Sequence, residues 1–282
     1  MKGEILARWH EALAEQSPVA LATVVEGPNI GDKLLVAPHD HIGTTGNEDL
    51  DRAVVEAGRG MLEGGRTGMR HYGPRGQRRM EDVTVFIQAF APPPRMYVFG
   101  AIDFASAVAR IGKFMGYRVT VCDARAVFAT RERFPNVDAV VVAWPDEFLK
   151  TAEVDHRTVI CVLTHDPKFD VPVLKAALRT PAGYIGAMGS RRTHNNRTAR
   201  LIEEGVSEED LRRISSPVGL DIGARTPEET AVAIAAEIVA LWTGHSGGRL
   251  SERAGPIHKP EPDIAPSPDA TDASAAARGR YR

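Results

Sequence analysis

Short apolar runs and one-sided helical stripes alternate along the middle of the chain. Residues 96–99 are apolar and end at Gly100. Phe104, Val108, Ile111 and Met115 then recur at helical spacing before Gly116, and residues 118–122 form a second apolar run ending at Asp123. A short run, a stripe stopped by glycine and another run predict strand, helix and strand. At this length the crossover is right-handed and the strands are parallel. Apolar runs at 139–143, 159–163 and 183–187 extend the sheet. Between the last two, Asp170 is expected to cap a helix with Pro172 just inside it and Leu174, Ala177 and Leu178 facing in. Ser190 opens a helix through Ile202 that Gly205 closes, and Ser207 with Asp210 starts a short one. Thr226-Pro227-Glu228-Glu229 reads as a capping box, worth ~1 kcal/mol. Its helix turns Ala231, Ile234, Ala235, Ile238 and Trp242 inward and ends at Gly244.

The first ninety or so residues pattern differently. Residues 1–16 put Ile5, Leu6, Trp9 and Leu13 on one helical face, and runs at 19–25 and 34–37 flank a Gly27-Pro28-Asn29 turn. Asn47 caps a helix carrying Leu50, Val54, Ala57 and Met61 inward to Gly64-Gly65, and residues 83–90 alternate as a strand. The expected fold class is α/β: a Rossmann-like, doubly wound, mainly parallel sheet with a smaller N-terminal α+β domain. The boundaries are a small domain at 1–91, a stiff Pro92-Pro93-Pro94 linker, the Rossmann-like domain at 95–245 and a flexible tail at 246–282.

Charge and composition then narrow the function classes. With 35 basic residues against 37 acidic ones, no net field favours nucleic acid or an anionic membrane. No apolar run approaches a bilayer span and no secretory segment opens the chain, so a cytoplasmic protein is expected. Cys122 and Cys161 sit in strand-like runs and read as buried thiols. G-x-S-x-G, H-E-x-x-H, C-x-x-C and the P-loop lysine are all missing, and His39-Asp40-His41 reads as a polar loop. The pattern points to binding rather than to catalysis.

Ligands of open α/β sheets sit at the carboxyl ends of the strands, beside the switch in strand order. For order 3-2-1-4-5 the candidates are Gly100 and Asp103 after the first strand, and His165 and Asp166 after the fourth. Asp123 lies about 20 residues beyond the first turn, where a dinucleotide fold keeps its ribose carboxylate. The fingerprint itself is broken, with Ile102 at the middle glycine and Ala105 at the last, so NAD(P) is disfavoured. Gly186-Ala187-Met188-Gly189-Ser190-Arg191-Arg192 meets a helix start, where free amides, the helix dipole and two arginines favour an anion. Gly186 and Gly189 would permit close approach. Arg225, before the capping box, is a further rim candidate.

YIGAMGSRRT (184–193), GLDIGARTPEE (219–229), THDPKFD (164–170) and VTVCDAR (119–125) together resemble the XdhC/CoxI family, accessory proteins of xanthine dehydrogenase and carbon monoxide dehydrogenase type molybdenum enzymes. The resemblance spans about 95–243, and more weakly 17–90. It implies a maturation factor rather than an enzyme. Such a factor binds the molybdenum cofactor (molybdopterin), protects it during sulfuration and delivers it. The implied partners are a cysteine desulfurase and a molybdenum hydroxylase large subunit, with a homodimer as the default assembly. Two departures stand out. The family's Ser-Gly-Gly-Cys before the small-domain helix has no cysteine at 47–49, and its Gly-Ala-Gly-His turn is Gly100-Ala101-Ile102-Asp103 here. A ligand-free interaction protein and an NAD(P)-dependent oxidoreductase are the alternatives these departures leave.

Overall fold

The structure, a computed structural model, describes residues 2–77 and 80–254, and two compact units divide between Pro92 and Pro93. Beyond residue 254 the expected tail lies outside the described residues.

In the first unit, α1 (Lys2–Ala14), β1 (Val19–Glu26), β2 (Lys33–Val36), β3 (His41–Gly43), α2 (Glu48–Gly64), β4 (Gly68–Tyr72) and β5 (Val83–Phe90) build an antiparallel sheet of order β3-β2-β1-β5-β4. Side chains alternate across β1, so its two faces meet different helices. Ala20, Ala22 and Val24 share a core with Leu50, Val54, Ala57 and Met61 of α2. Val19 and Leu35 pack with Ile5 and Ala12 of α1. Asn47 caps α2 as expected, accepting the Asp49 and Leu50 amide hydrogens. The patterning missed β3 and β4. The first has three residues, and the second has a polar, largely exposed sequence.

The second unit is a parallel sheet of order β11-β10-β9-β6-β7-β8, with β6 (Arg95–Phe99), β7 (Arg118–Asp123), β8 (Ala139–Val142), β9 (Val159–Val162), β10 (Tyr184–Ala187) and β11 (Ile214–Ser215). Both faces of the central strands are covered, which is why β9 and β10 are wholly buried and β6 is apolar after Arg95. Met96, Val98, Val119, Val121 and Cys161 meet α3 (Asp103–Phe114) and α8 (Pro227–Thr243) through Val108, Ile234 and Ile238. The other face packs on α4 (Pro145–Thr151), α5 (Pro167–Leu178) and α6 (Arg191–Glu203) through Leu149, Leu174 and Leu201. A short α7 (Glu208–Leu211) precedes β11. The direction of winding reverses between β6 and β9, so the crevice of a doubly wound sheet falls where the sequence placed it.

Two expectations are corrected. Asp166 caps α5, with Pro167 in the first turn, and Asp170 lies inside the helix. Of two Asp-then-Pro starts the chain uses the earlier, because Asp166 accepts the Lys168 amide hydrogen and the loop after β9 ends there. Trp242 is 43 % exposed, not a core residue. Its ring lies over Gly183, where a Cβ would come within 2.7 Å of it, so it flanks the sheet instead of entering it.

Candidate functional site

Three loops meet at the carboxyl edge of the parallel sheet, and they are tied together. Gly100 follows β6 with φ +99°, and a Cβ there would stand 2.7 Å from Thr164 Cγ2 and 3.0 Å from its amide nitrogen. Glycine is required at this position because the turn after β6 lies against the loop after β9. Next to it, the Ala101 N–H donates to Asp123 Oδ2 at 2.8 Å.

Asp123, at the end of β7, is buried and fully engaged. Its Oδ1 accepts the Arg125 amide and Nε hydrogens, both at 2.9 Å, and Oδ2 accepts Arg125 Nη2 at 2.7 Å. Burial works to raise this carboxyl's pKa, but the Arg125 guanidinium and the Ala101 and Arg125 amides more than offset it, so it lies below the ordinary value. The carboxylate expected at a ribose thus holds an arginine instead. That guanidinium stands 4.5 Å from the Phe128 ring centroid and 5.9 Å from that of Phe169, which in turn packs 5.0 Å from Trp144.

Asp170, next to Phe169, forms a second carboxylate–arginine pair. Arg197 Nη2 donates to Asp170 Oδ2 at 2.7 Å and to the Met188 carbonyl at 2.7 Å, while Thr164 donates its hydroxyl to Asp170 Oδ1. Side-chain exposure is 5 % for Arg197 and 3 % for Asp170. Burial pushes the Asp170 carboxyl up from its ordinary value, with Arg197 pulling the other way. The pair bridges the loops after β9 and β10. A cavity of about 110 Å³ opens beside it, lined by His165, Asp170, Thr193, Asn196, Arg197 and Arg200.

The loop after β10 leads into α6. Ser190 caps that helix by accepting the Thr193 amide hydrogen at 3.2 Å. Gly189 adopts φ +148°, and a Cβ there would press on Thr193 at 3.0 Å. Gly186, expected to admit a ligand, is buried instead; a Cβ would meet Val218 at 2.6 Å and the Tyr184 hydroxyl at 2.8 Å, so its smallness serves packing. Arg191 and Arg192 are exposed and make no ion pair among the described residues.

Of the residues singled out from sequence, Gly100, Asp123, His165, Asp166, Gly189 and Ser190 lie on the segments that leave the carboxyl ends of β6, β7, β9 and β10. Asp166 lies within the field of Arg125 as well as capping α5. Asp103 is exposed in the first turn of α3 and pairs with Arg133 at 3.5 Å. Arg225 is exposed, and its amide donates to Glu229 within the capping box. Sequence reasoning missed Arg197 and Asp170. The available signal was spacing, since Thr193, Arg197 and Leu201 fall four apart on one helical face and Leu201 is a core residue.

Two wider clefts lie in the antiparallel unit, about 820 Å³ beside α2 and about 400 Å³ beside α1, where His39, Asp40 and His41 sit. Acidic and basic side chains mix along both, so neither converges one sign of charge on a ligand. Among the described residues no group of three His, Cys, Asp or Glu could hold a metal ion.

Residues 96–238 match the XdhC Rossmann domain and residues 12–73 match the XdhC and CoxI family. The chain belongs to the XdhC/CoxI family. It is 33 % identical over 159 residues to a probable xanthine dehydrogenase subunit of Bacillus subtilis, covering 56 % of this chain and 46 % of that protein. YqeB of Escherichia coli is 28 % identical over 260 residues, covering 86 % of this chain and 47 % of its own length. The molybdenum cofactor insertion chaperone PaoD of Escherichia coli is 30 % identical over 156 residues, covering 55 % and 42 %. The matched stretch thus spans about half the length of these curated relatives. A Bacillus halodurans protein solved as a xanthine dehydrogenase shares the fold at TM-score 0.53 and 18 % identity, covering 85 % of this chain and 96 % of that one. Among the described residues no helix is long and apolar enough to cross a membrane.

Proposed function

We propose that this XdhC/CoxI chain binds the molybdenum cofactor at the carboxyl edge of its parallel sheet and passes it to a xanthine dehydrogenase or carbon monoxide dehydrogenase type enzyme. Its kinship with an insertion chaperone supports the class of cargo. The observation that carries the reading is the start of α6. Arg191 and Arg192 stand exposed in its first turn with no carboxylate partner among the described residues. Basic side chains there oppose the helix dipole, and a phosphorylated guest would supply the missing negative charge. The residues present fit such a guest: Arg191, Arg192 and the Ser190 turn would hold its phosphate, and Trp144 and the Phe-flanked Arg125 offer planar faces to its ring system. The cargo's redox chemistry belongs to the client enzyme; this chain's residues bind and orient it.

An NAD(P) role is weaker. Asp123 already accepts four hydrogen bonds from its own chain, and Ile102 stands where a pyrophosphate needs glycine.

The test is anaerobic purification from cells that make the cofactor, followed by release and oxidation to its fluorescent pterin. Wild type should carry pterin, and the Arg191→Ala/Arg192→Ala double variant should lose roughly tenfold of it or more, as expected for charge-assisted contacts. An empty wild-type chain, or equal loading of the double variant, would overturn the proposal.

A further inference from the structure

Trp144, the N-cap residue of α4, is 49 % exposed, and its ring is backed at 5.0 Å by Phe169, which is 6 % exposed. Its indole N–H meets no acceptor among the described residues. Across the same Phe169 ring, Arg125 commits Nε and Nη2 to the buried Asp123 and rests 4.5 Å from the Phe128 centroid, with 41 % of its side chain exposed. Nη1 lies at the other end of the guanidinium plane, turned away from the edge that holds Asp123, and no acceptor among the described residues takes it. An exposed ring face and two donors without acceptors are therefore held on one shelf, and a buried carboxylate and a buried ring fix their positions.

The charges around this shelf cancel in pairs, Arg125 with Asp123 at 2.7 Å and Lys168 with Asp166 at 3.3 Å. A shelf with balanced charge does not select a phosphate. It offers a face for stacking and donors at its edge, which suits a neutral heterocycle carrying carbonyl or ring-nitrogen acceptors. Reach decides which ring. The carrier reading seats a phosphate at the start of α6, and α5 packs against both α4 and α6. Two helix spacings of about 8–10 Å put the starts of α4 and α6 roughly 16–20 Å apart. A heterocycle and its own phosphate do not cover that span. A guest with a second nucleotide unit does, and doubly wound sheets lay dinucleotides across this edge in two mononucleotide halves.

We propose that Trp144, Phe169 and Arg125 form a nucleobase subsite, filled by the nucleotide end of a two-part guest whose other half reaches α6, or by a free nucleotide. The subsite stands on the geometry of the shelf. Assigning its base to the guest rests on the carrier reading.

The experiment titrates the full chain by calorimetry with AMP, GMP and CMP, and with ribose 5-phosphate, which keeps the phosphate and lacks the base. At least one nucleotide should bind roughly tenfold tighter than ribose 5-phosphate, the effect of one base stacked on an aromatic ring. Trp144→Ala should erase that difference and leave ribose 5-phosphate binding unchanged, and Trp144→Phe should restore most of it. Equal affinity for nucleotides and ribose 5-phosphate, or a Trp144→Ala variant that still tells them apart, overturns the subsite. Tighter binding of pterin-6-carboxylate than of every nucleotide overturns the nucleobase assignment. The source of the base is read from chain purified anaerobically as above, where acid hydrolysis should release one nucleoside monophosphate per pterin. Pterin without nucleotide keeps the subsite for free nucleotide and removes its assignment to the guest. Wild-type chain without pterin defeats the carrier reading alone, and the titration still decides the subsite.

Discussion

Asp170→Asn is the sharpest probe of the rim, because it changes one charge and little else. In the native chain Oδ2 takes Arg197 Nη2 at 2.7 Å and Oδ1 takes the Thr164 hydroxyl. An asparagine can turn its oxygen to Arg197 and its amide to Thr164, whose hydroxyl then accepts, so both hydrogen bonds survive. What disappears is the negative charge opposite a guanidinium that is 5 % exposed. Removing one member of a buried ion pair costs about 3–5 kcal/mol, and the retained hydrogen bonds place this variant near 3. For a domain of this size ~1 kcal/mol moves the melting temperature by roughly 2–4 °C, so a drop of about 6–12 °C is expected. Asp170→Ala, which also strands Thr164, should fall further. The control is the double variant Asp170→Asn/Arg197→Met, with both charges gone and the aliphatic volume largely kept. It should be more stable than the sum of the single losses predicts, by at least ~2 kcal/mol. Urea unfolding followed by fluorescence of Trp144 and Trp242, both in the α/β unit, reads these differences. An Asp170→Asn variant within 1 kcal/mol of wild type, or strictly additive single losses, would refute the claim that the pair is a coupled buried bridge.

Three further outcomes follow from other parts of the structure. Cys122 and Cys161 are buried, and burial, helped by Asp123 beside the first and Glu237 near the second, pushes both thiols up to about 12; a thiol reagent at pH 8 should label neither until the chain unfolds, and labelling of the native chain would contradict their environment. Because the native Asp123 carboxyl is lowered, its stabilisation is full above the unfolded value of ~3.9 and is lost as pH falls through the native value; Asp123→Asn should therefore flatten the acid limb of a melting-temperature profile, and an unchanged limb would assign acid lability elsewhere. Gly186→Ala forces a methyl against Val218 and the Tyr184 hydroxyl and should cost about 1–3 kcal/mol in urea unfolding, whereas a neutral result would mean that the loop before α8 yields freely.

The scaffold was legible because each of its signals is local. The α3 stripe, the apolar β6, β7 and β9 runs, and the Thr226 capping box each need only neighbouring residues to be read. The strand order 3-2-1-4-5 of a doubly wound sheet matches the observed β8-β7-β6-β9-β10. The site was legible only in outline. Gly189 and Ser190 announce a helix start, but the burial of Arg197 depends on α5 lying alongside α6, and a polar RRTHNNRTAR stretch looks solvated when read alone. Asp170 misled for the same reason. Its pairing partner is 27 residues away, while a proline two positions on supplied a plausible local role. Arg125 was visible beside Asp123, but nothing in the local pattern said that the carboxylate would be consumed in holding it.

The rim therefore contains two kinds of arginine, and the distinction bears on how a guest is captured. Arg125 and Arg197 are fixed by buried carboxylates, Asp123 at the end of β7 and Asp170 inside α5, so the entropy of ordering their long side chains, up to ~2 kcal/mol each, is already spent in the folded chain. On the proposed carrier reading, a guest's contacts to Arg125, whose side chain is 41 % exposed, would lose little on binding, whereas Arg197 would hold the loops in place from beneath. Arg191, Arg192 and Arg200 are exposed and unpaired among the described residues, so they retain that freedom. Their charge acts at a distance, hastening encounter and fading with salt, while each contributes less once bound. The carrier role proposed above would use both properties, rapid capture and release without tight closure. It follows that rising salt should slow association of an anionic guest far more than it speeds dissociation, and that neutralising Arg191 and Arg192 should abolish most of that salt dependence.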